Sequence, residues 1–100
     1  MPIERFKIQC RPERADQALA ALAEVTRASR GIDGVIHFDI GRDILDPNTF
    51  IATEVFADRA ALDRQDSIPE VHRAMGLFPE LLARDPEATI FHVSSHEPAA

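Results

Sequence analysis

The run Phe50-Ile-Ala-Thr-Glu-Val-Phe56 constrains the fold of this 100-residue chain more than any other segment. Its β-branched and aromatic residues favour an extended strand, whose side chains alternate between two faces. Phe50, Ala52 and Phe56 then point one way, with Ile51 and Val55 opposite. Large apolar groups on both faces require a cover on each.

The flanking segments supply one cover. Ile3 to Cys10 alternates too, with Phe6, Ile8 and Cys10 on one side and Arg5, Lys7 and Gln9 on the other, and Pro12 ends it. Residues 13–30 are rich in Ala and Leu. Their pattern predicts an amphipathic helix with Leu19, Leu22 and Thr26 on its apolar stripe and Ala15, Ala23 and Val25 beside it. Gly31 stops that helix, and Gly34 opens a second strand in which Ile36, Phe38 and Ile40 alternate with His37 and Asp39. Asp46-Pro47-Asn48 reads as the turn of a hairpin into the Phe50–Phe56 strand. Asp58 is suited to cap a helix starting at Arg59. Ser67 is suited to cap its continuation, with Ile68, Val71, His72 and Met75 on one face. Pro79 predicts a break there, with residues 79–84 as a separate short turn. Thr89 to Ser95 is the last strand, and Phe91 and Val93 share one side of it.

The order β-α-β-β-α-β predicts an α+β, ferredoxin-like fold: a four-stranded antiparallel sheet with its helices on one face. Residues 1–96 form one domain, and 97–100 read as a frayed tail that His96 adjoins. Helices on one face leave Ile51, Val55, Phe91 and Val93, or their neighbours, uncovered. Each such group left in water forfeits roughly 1.5–3 kcal/mol. A second copy packed sheet to sheet removes that loss, so a homodimer is expected.

Composition narrows the partners. A net charge of −6 disfavours nucleic acid and anionic membranes. No stretch approaches the ~20 apolar residues of a membrane span, and the charged, alternating first residues do not resemble a leader peptide. The single Cys10 forms no intrachain disulfide and, on an apolar strand face, reads as a small buried residue. A cytoplasmic location is expected. There is no Gly-rich phosphate loop and no nucleophile elbow.

Two stretches carry a family resemblance. Gly34-Val-Ile-His-Phe-Asp-Ile-Gly-Arg-Asp-Ile-Leu-Asp-Pro-Asn-Thr-Phe50 is followed by Glu54-Val-Phe-Ala-Asp-Arg-Ala-Ala-Leu62. A glycine-led strand, an Asp-Pro turn and Glu-x-aromatic-x-Asp-x-x-Ala-Leu running into a helix resemble the antibiotic biosynthesis monooxygenase family. The element order agrees along essentially the whole chain, and the specific motif spans about residues 34–72. The resemblance implies a dimeric α/β barrel of two facing sheets, with a pocket in each subunit between sheet and helices. It also implies oxygenation of quinol-like aromatics without metal or flavin in some members, and haem degradation or processing of small signalling molecules in others. This chain departs from the pattern twice: Gln65 stands where the family often has His, and Phe56 where it usually has Trp.

The candidate chemistry is sparse. Glu54, on an otherwise apolar strand, must be paired or raised in pKa, either as a catalytic group or as a structural anchor. His72, on the apolar stripe with Ile68 and Met75, is a candidate base with an unperturbed pKa of about 6.5, or a core histidine. Gln65 lies two helical turns before it and would line the same cleft. Phe38, Phe56, Met75 and Phe78 would supply apolar walls, and His37 a further polar contact. His37, Asp39 and His92 converging would resemble a metal site, but no short ligand spacing supports one, so no metal is expected. Arg42 and Asp43 read as a solvated pair.

The leading expectation is a cofactor-independent monooxygenase acting on a small electron-rich aromatic, quinol-like or enol-type substrate. A noncatalytic small-molecule binding or dimerisation module is the rival from another class, favoured by Gln65. An isomerase of a small carbonyl metabolite is the third.

Overall fold

The computed structural model describes residues 1–100. Four strands form one antiparallel sheet: β1 (Pro2–Gln9), β2 (Val35–Asp43), β3 (Asp46–Phe56) and β4 (Glu87–His92), in the order β2-β3-β1-β4. Helices α1 (Ala15–Ser29), α2 (Arg59–Asp66) and α3 (Pro69–Leu81) lie on one face, giving the ferredoxin-like α+β arrangement. The second helical region is thus two helices. Asp58 caps α2 as its sequence indicates, accepting a hydrogen bond from the Ala61 amide at 2.9 Å.

Register assigns the two sheet faces. Phe38, Glu54, Glu4 and Ile90 form one row across all four strands, and Ile40, Ala52, Phe6 and Ala88 form the next. Both rows face the helices. The opposite face carries Ile3, Ile51, Val55 and Phe91, of which Phe91 remains 50% exposed. The main core joins Ile8, Cys10 and Phe50 to Ala18, Leu22, Leu81 and Leu82. Cys10 is buried there, as its alternation with Phe6 and Ile8 indicates.

Gly34, with φ of +86°, is the most closely approached of the four glycines. A Cβ there would sit 2.6 Å from the Ala61 Cβ. The absent side chain lets α2 lie against the entry to β2.

Several expectations are corrected. The hairpin reverses at Ile44-Leu45, with Asp43 paired to Asp46, so Asp46-Pro47-Asn48 opens β3 instead of forming the turn. Asp46 does make the side-chain bonds that mark a turn residue, accepting from the Asn48 amide at 3.0 Å and from the Thr49 hydroxyl at 2.6 Å. Pro47 is tolerated because it stands at the start of its strand. Pro79 does not end α3, which runs to Leu81 and closes with the Leu82 amide on the Phe78 carbonyl at 2.9 Å. Burying Leu81 and Leu82, at roughly 1.5–3 kcal/mol each, offsets the ~3 kcal/mol that an interior proline costs. Ser67 closes α2 instead of opening α3: its hydroxyl donates to the Arg64 carbonyl at 2.9 Å, and Ile68 is the N-cap of α3. Leu19 leaves the apolar stripe and is 46% exposed. Arg42 lies 4.9 Å above the Phe50 ring, while Asp43 accepts from the Leu45 amide, so the two are not a pair.

Candidate active site

Between the sheet and the helices lies a cavity of about 250 Å³, to which every strand and helix contributes. Its walls are apolar: Phe6 and Phe38 from the sheet, Leu22 and Val25 from α1, Val71 and Phe78 from α3. Phe6 and Phe78 stack, with ring centroids 6.0 Å apart. Met75, 54% exposed, stands at the rim.

The polar lining is Glu4, Glu54, Gln65 and Asp66, with no Lys, Arg or His among the lining residues. Glu54 is 6% exposed. It lies on β3, paired on both sides, so its backbone position is fixed by two ladders. Alternation places it beside Ala52 and Phe56 on the helix-covered face. Glu4 is its direct cross-strand partner on β1. Burial pushes the Glu54 carboxyl up to about 8, and the charges of Glu4 and Asp66 push the same way. Glu54 makes no side-chain hydrogen bond within the chain, and no buried polar atom is left unpaired, so its carboxyl oxygens open onto the cavity. Glu4 is also raised, first by burial and then by Asp66, with Arg59 opposing.

Gln65 is 4% exposed, and its amide donates to the Ser29 hydroxyl at 3.0 Å, tying α2 to the end of α1. Arg59, the basic residue that opposes the rise at Glu4, is engaged with Asp63 at 3.1 Å on the surface of α2.

Of the residues picked out from the sequence, the structure brings together Glu54, Gln65, Phe38, Met75 and Phe78. It does not bring in the other three. His72 is exposed and faces away from the sheet, because α3 buries Val71, Ala74 and Leu81 and so turns position 72 outward. His37 is exposed on the opposite sheet face, one residue from Phe38. Phe56 is fully buried with Ala61 and Leu62, outside the cavity lining. His37 and His92 fall on opposite faces of the sheet, so they do not converge on a common ion. Glu4 and Asp66 were not singled out beforehand. Glu4 had a signal: it continues the Phe6, Ile8, Cys10 alternation by one step. Asp66 had none: it is the exposed last residue of α2, and only the packing of that helix end brings it to the cavity mouth.

No helix is long and apolar enough to cross a membrane. The chain is 29% identical over 87 residues to an uncharacterised protein of Synechocystis sp. (strain ATCC 27184 / PCC 6803 / Kazusa). That match covers 87% of this chain, which spans 59% of the length of that relative. A crystal structure of a candidate antibiotic biosynthesis monooxygenase from Deinococcus radiodurans superposes with a TM-score of 0.90 at 21% identity, covering 100% of this chain and 99% of that one. The crystal structure of another antibiotic biosynthesis monooxygenase gives 0.87 at 23% identity, covering 95% and 100%. These likenesses show the fold. The sequence profile of the family supplies the rest, matching residues 1–76 from β1 into α3, and the chain belongs to the antibiotic biosynthesis monooxygenase family.

Proposed function

We propose that this chain is a cofactor-independent monooxygenase for a small electron-rich aromatic, quinol-like or enol-type substrate, with Glu54 as the base. One observation carries the reading: a buried carboxyl, raised to about 8, opens onto an apolar cavity without a hydrogen-bond partner in the chain. A carboxylate so raised is a better match to a phenol, whose pKa is about 10, than an ordinary one.

Glu54 takes the most acidic substrate proton and leaves an electron-rich anion in a dry pocket. For a carbon that bears two hydrogens, the anion transfers an electron to O2 and recombines with it, forming a C–O bond. The O–O bond then breaks as the second hydrogen leaves, one oxygen departs as water, and the carbon becomes a carbonyl. The chain orients the ring between Phe38 and Phe78, excludes water, and holds the proton. Gln65 positions the substrate edge from α2.

The same reading includes a second copy of the chain packed on the outer sheet face. Ile3, Ile51, Val55 and Phe91 form the apolar surface that it would cover.

Oxygen uptake on a panel of hydroquinones and enolisable aromatic ketones tests the activity. Glu54→Gln should lower the rate by roughly 100-fold or more. Uptake unchanged in that variant would remove Glu54 as the base. Saturable binding without any uptake would favour the binding-module reading.

A further inference from the structure

We propose that the cavity selects its ligand by charge: it takes a small arylalkyl amine, bound as the ammonium beside Glu4, Glu54 and Asp66, and rejects anionic analogues. The proposal rests on the cavity being the substrate site and adds a class of substrate to that reading.

Two independent observations carry it. The first is the composition of the lining, in which buried Glu54, half-buried Glu4 and exposed Asp66 at the mouth are joined by apolar side chains and not one basic residue. The second is Glu54 itself, 6% exposed, unpartnered by any hydrogen bond and open to the cavity. A buried acceptor of this kind awaits a donor from outside the chain. Coulomb energies grow several-fold as the effective dielectric falls from that of water to that of a protein interior. A carboxylate, phosphate or sulfate on the ligand would therefore face repulsion that no side chain in the lining relieves. Arg59, the basic group that acts on Glu4, is held at the surface by Asp63.

The space fits a modest ligand. A cavity of about 150 Å³ holds one benzene ring. The 250 Å³ here leaves room for a ring and a short substituent that carries the charged head.

The arrangement also couples binding to the base. In the empty site burial and the neighbouring acids keep Glu54 protonated near neutrality. An ammonium brought next to it favours the carboxylate, so the proton departs as the ligand enters. The charge on the ligand thus sets the ionisation state of Glu54.

Calorimetric titration of the full chain at pH 7 with 2-phenylethylamine, 2-phenylethanol and phenylacetate tests the proposal. The amine should bind at least roughly tenfold more tightly than the alcohol, and phenylacetate should bind most weakly. Titration of the amine in two buffers of different ionisation enthalpy should show proton release, which Glu54→Gln abolishes. Glu4→Gln and Asp66→Asn should each narrow the gap between amine and alcohol. Equal binding of all three probes, tighter binding of phenylacetate, or no binding of the amine overturns the proposal. Oxygen uptake with uncharged hydroquinones is a separate measurement, so the base assignment can stand if the charge selection fails.

Discussion

Glu4 and Glu54 face each other across β1 and β3 on the helix-covered side of the sheet, with no basic side chain lining the cavity they border. Like charges directly opposite in a sheet are destabilising, and here both carboxyls are also desolvated. This paired arrangement makes the site acid-retaining, and several measurable consequences follow from it.

Stability should fall as pH rises. Glu54 titrates near 4.5 when free and at about 8 in the fold, so between those values the folded chain holds a proton that the unfolded chain has released. Its contribution is fully present below about pH 4.5 and is lost as pH passes 8. The loss is on the order of 3–5 kcal/mol, the full linkage figure before water entry relieves the buried charge. Glu4, raised as well, adds in the same direction. Urea midpoints should therefore drop from pH 5 to pH 9 in the native chain, while Glu54→Gln flattens the profile and is the more stable protein at pH 9. A level native profile would contradict the burial of this charge.

Activity should move the opposite way. At pH 7 about one molecule in ten carries ionised Glu54 in the empty site. With an uncharged substrate the rate should climb through pH 8 and level off above it. His72→Ala should change neither rate nor stability, the latter within about 0.5 kcal/mol, because the ring lies in solvent. A large loss of rate in that variant would return the histidine to the mechanism.

The Gln65 strut should be measurable by itself. Gln65→Ala strands the Ser29 hydroxyl, which is fully buried, at a cost of about 1–3 kcal/mol. Ser29→Ala should cost less. A double-mutant cycle should show that the two effects are not additive, and additive losses would mean that the bond contributes nothing.

Gly34→Ala should be among the most damaging single-methyl additions. A left-handed φ of +86° and a 2.6 Å approach to the Ala61 Cβ act together, for about 2–4 kcal/mol. A thermal melt within a degree of the native chain would refute that packing.

Particle mass tests the second copy. Light scattering should give twice 11.1 kDa for the native chain and 11.1 kDa for Val55→Asp, which places a charge on the outer face. A native particle of single mass would remove the dimer.

Much of this architecture was legible in the residues. Period-two alternation gave β1 and β3, and the Ala/Leu pattern gave α1, because burying one face sets those periods. Asp58 announced the start of α2 through its capping chemistry. The alternation that buried Cys10 also pointed to Glu4, and Glu54 stood out as the lone acid in an apolar strand. The failures share a cause. His72 sits one position beyond Val71, and the rotation of α3 depends on where Pro69 starts it, which no local pattern reveals. Asp46-Pro47-Asn48 has the chemistry of a turn, yet pairing of Asp46 with Asp43 of β2 draws it into the sheet. Phe56 alternates with Glu54, but α2 closes over it before the cavity begins.

The division between β3 and its neighbours has an evolutionary consequence. Glu54 is held by pairing on both flanks, whereas positions 4 and 66 influence it only through space. Exchanging either neighbour for an uncharged or basic residue would reset the proton affinity of the central carboxyl while the scaffold stayed as it is. If Glu54 is the base proposed above, a lineage built on this frame can follow ligands of different acidity by adjusting two dials at the edge of the pocket, leaving the central carboxyl itself untouched.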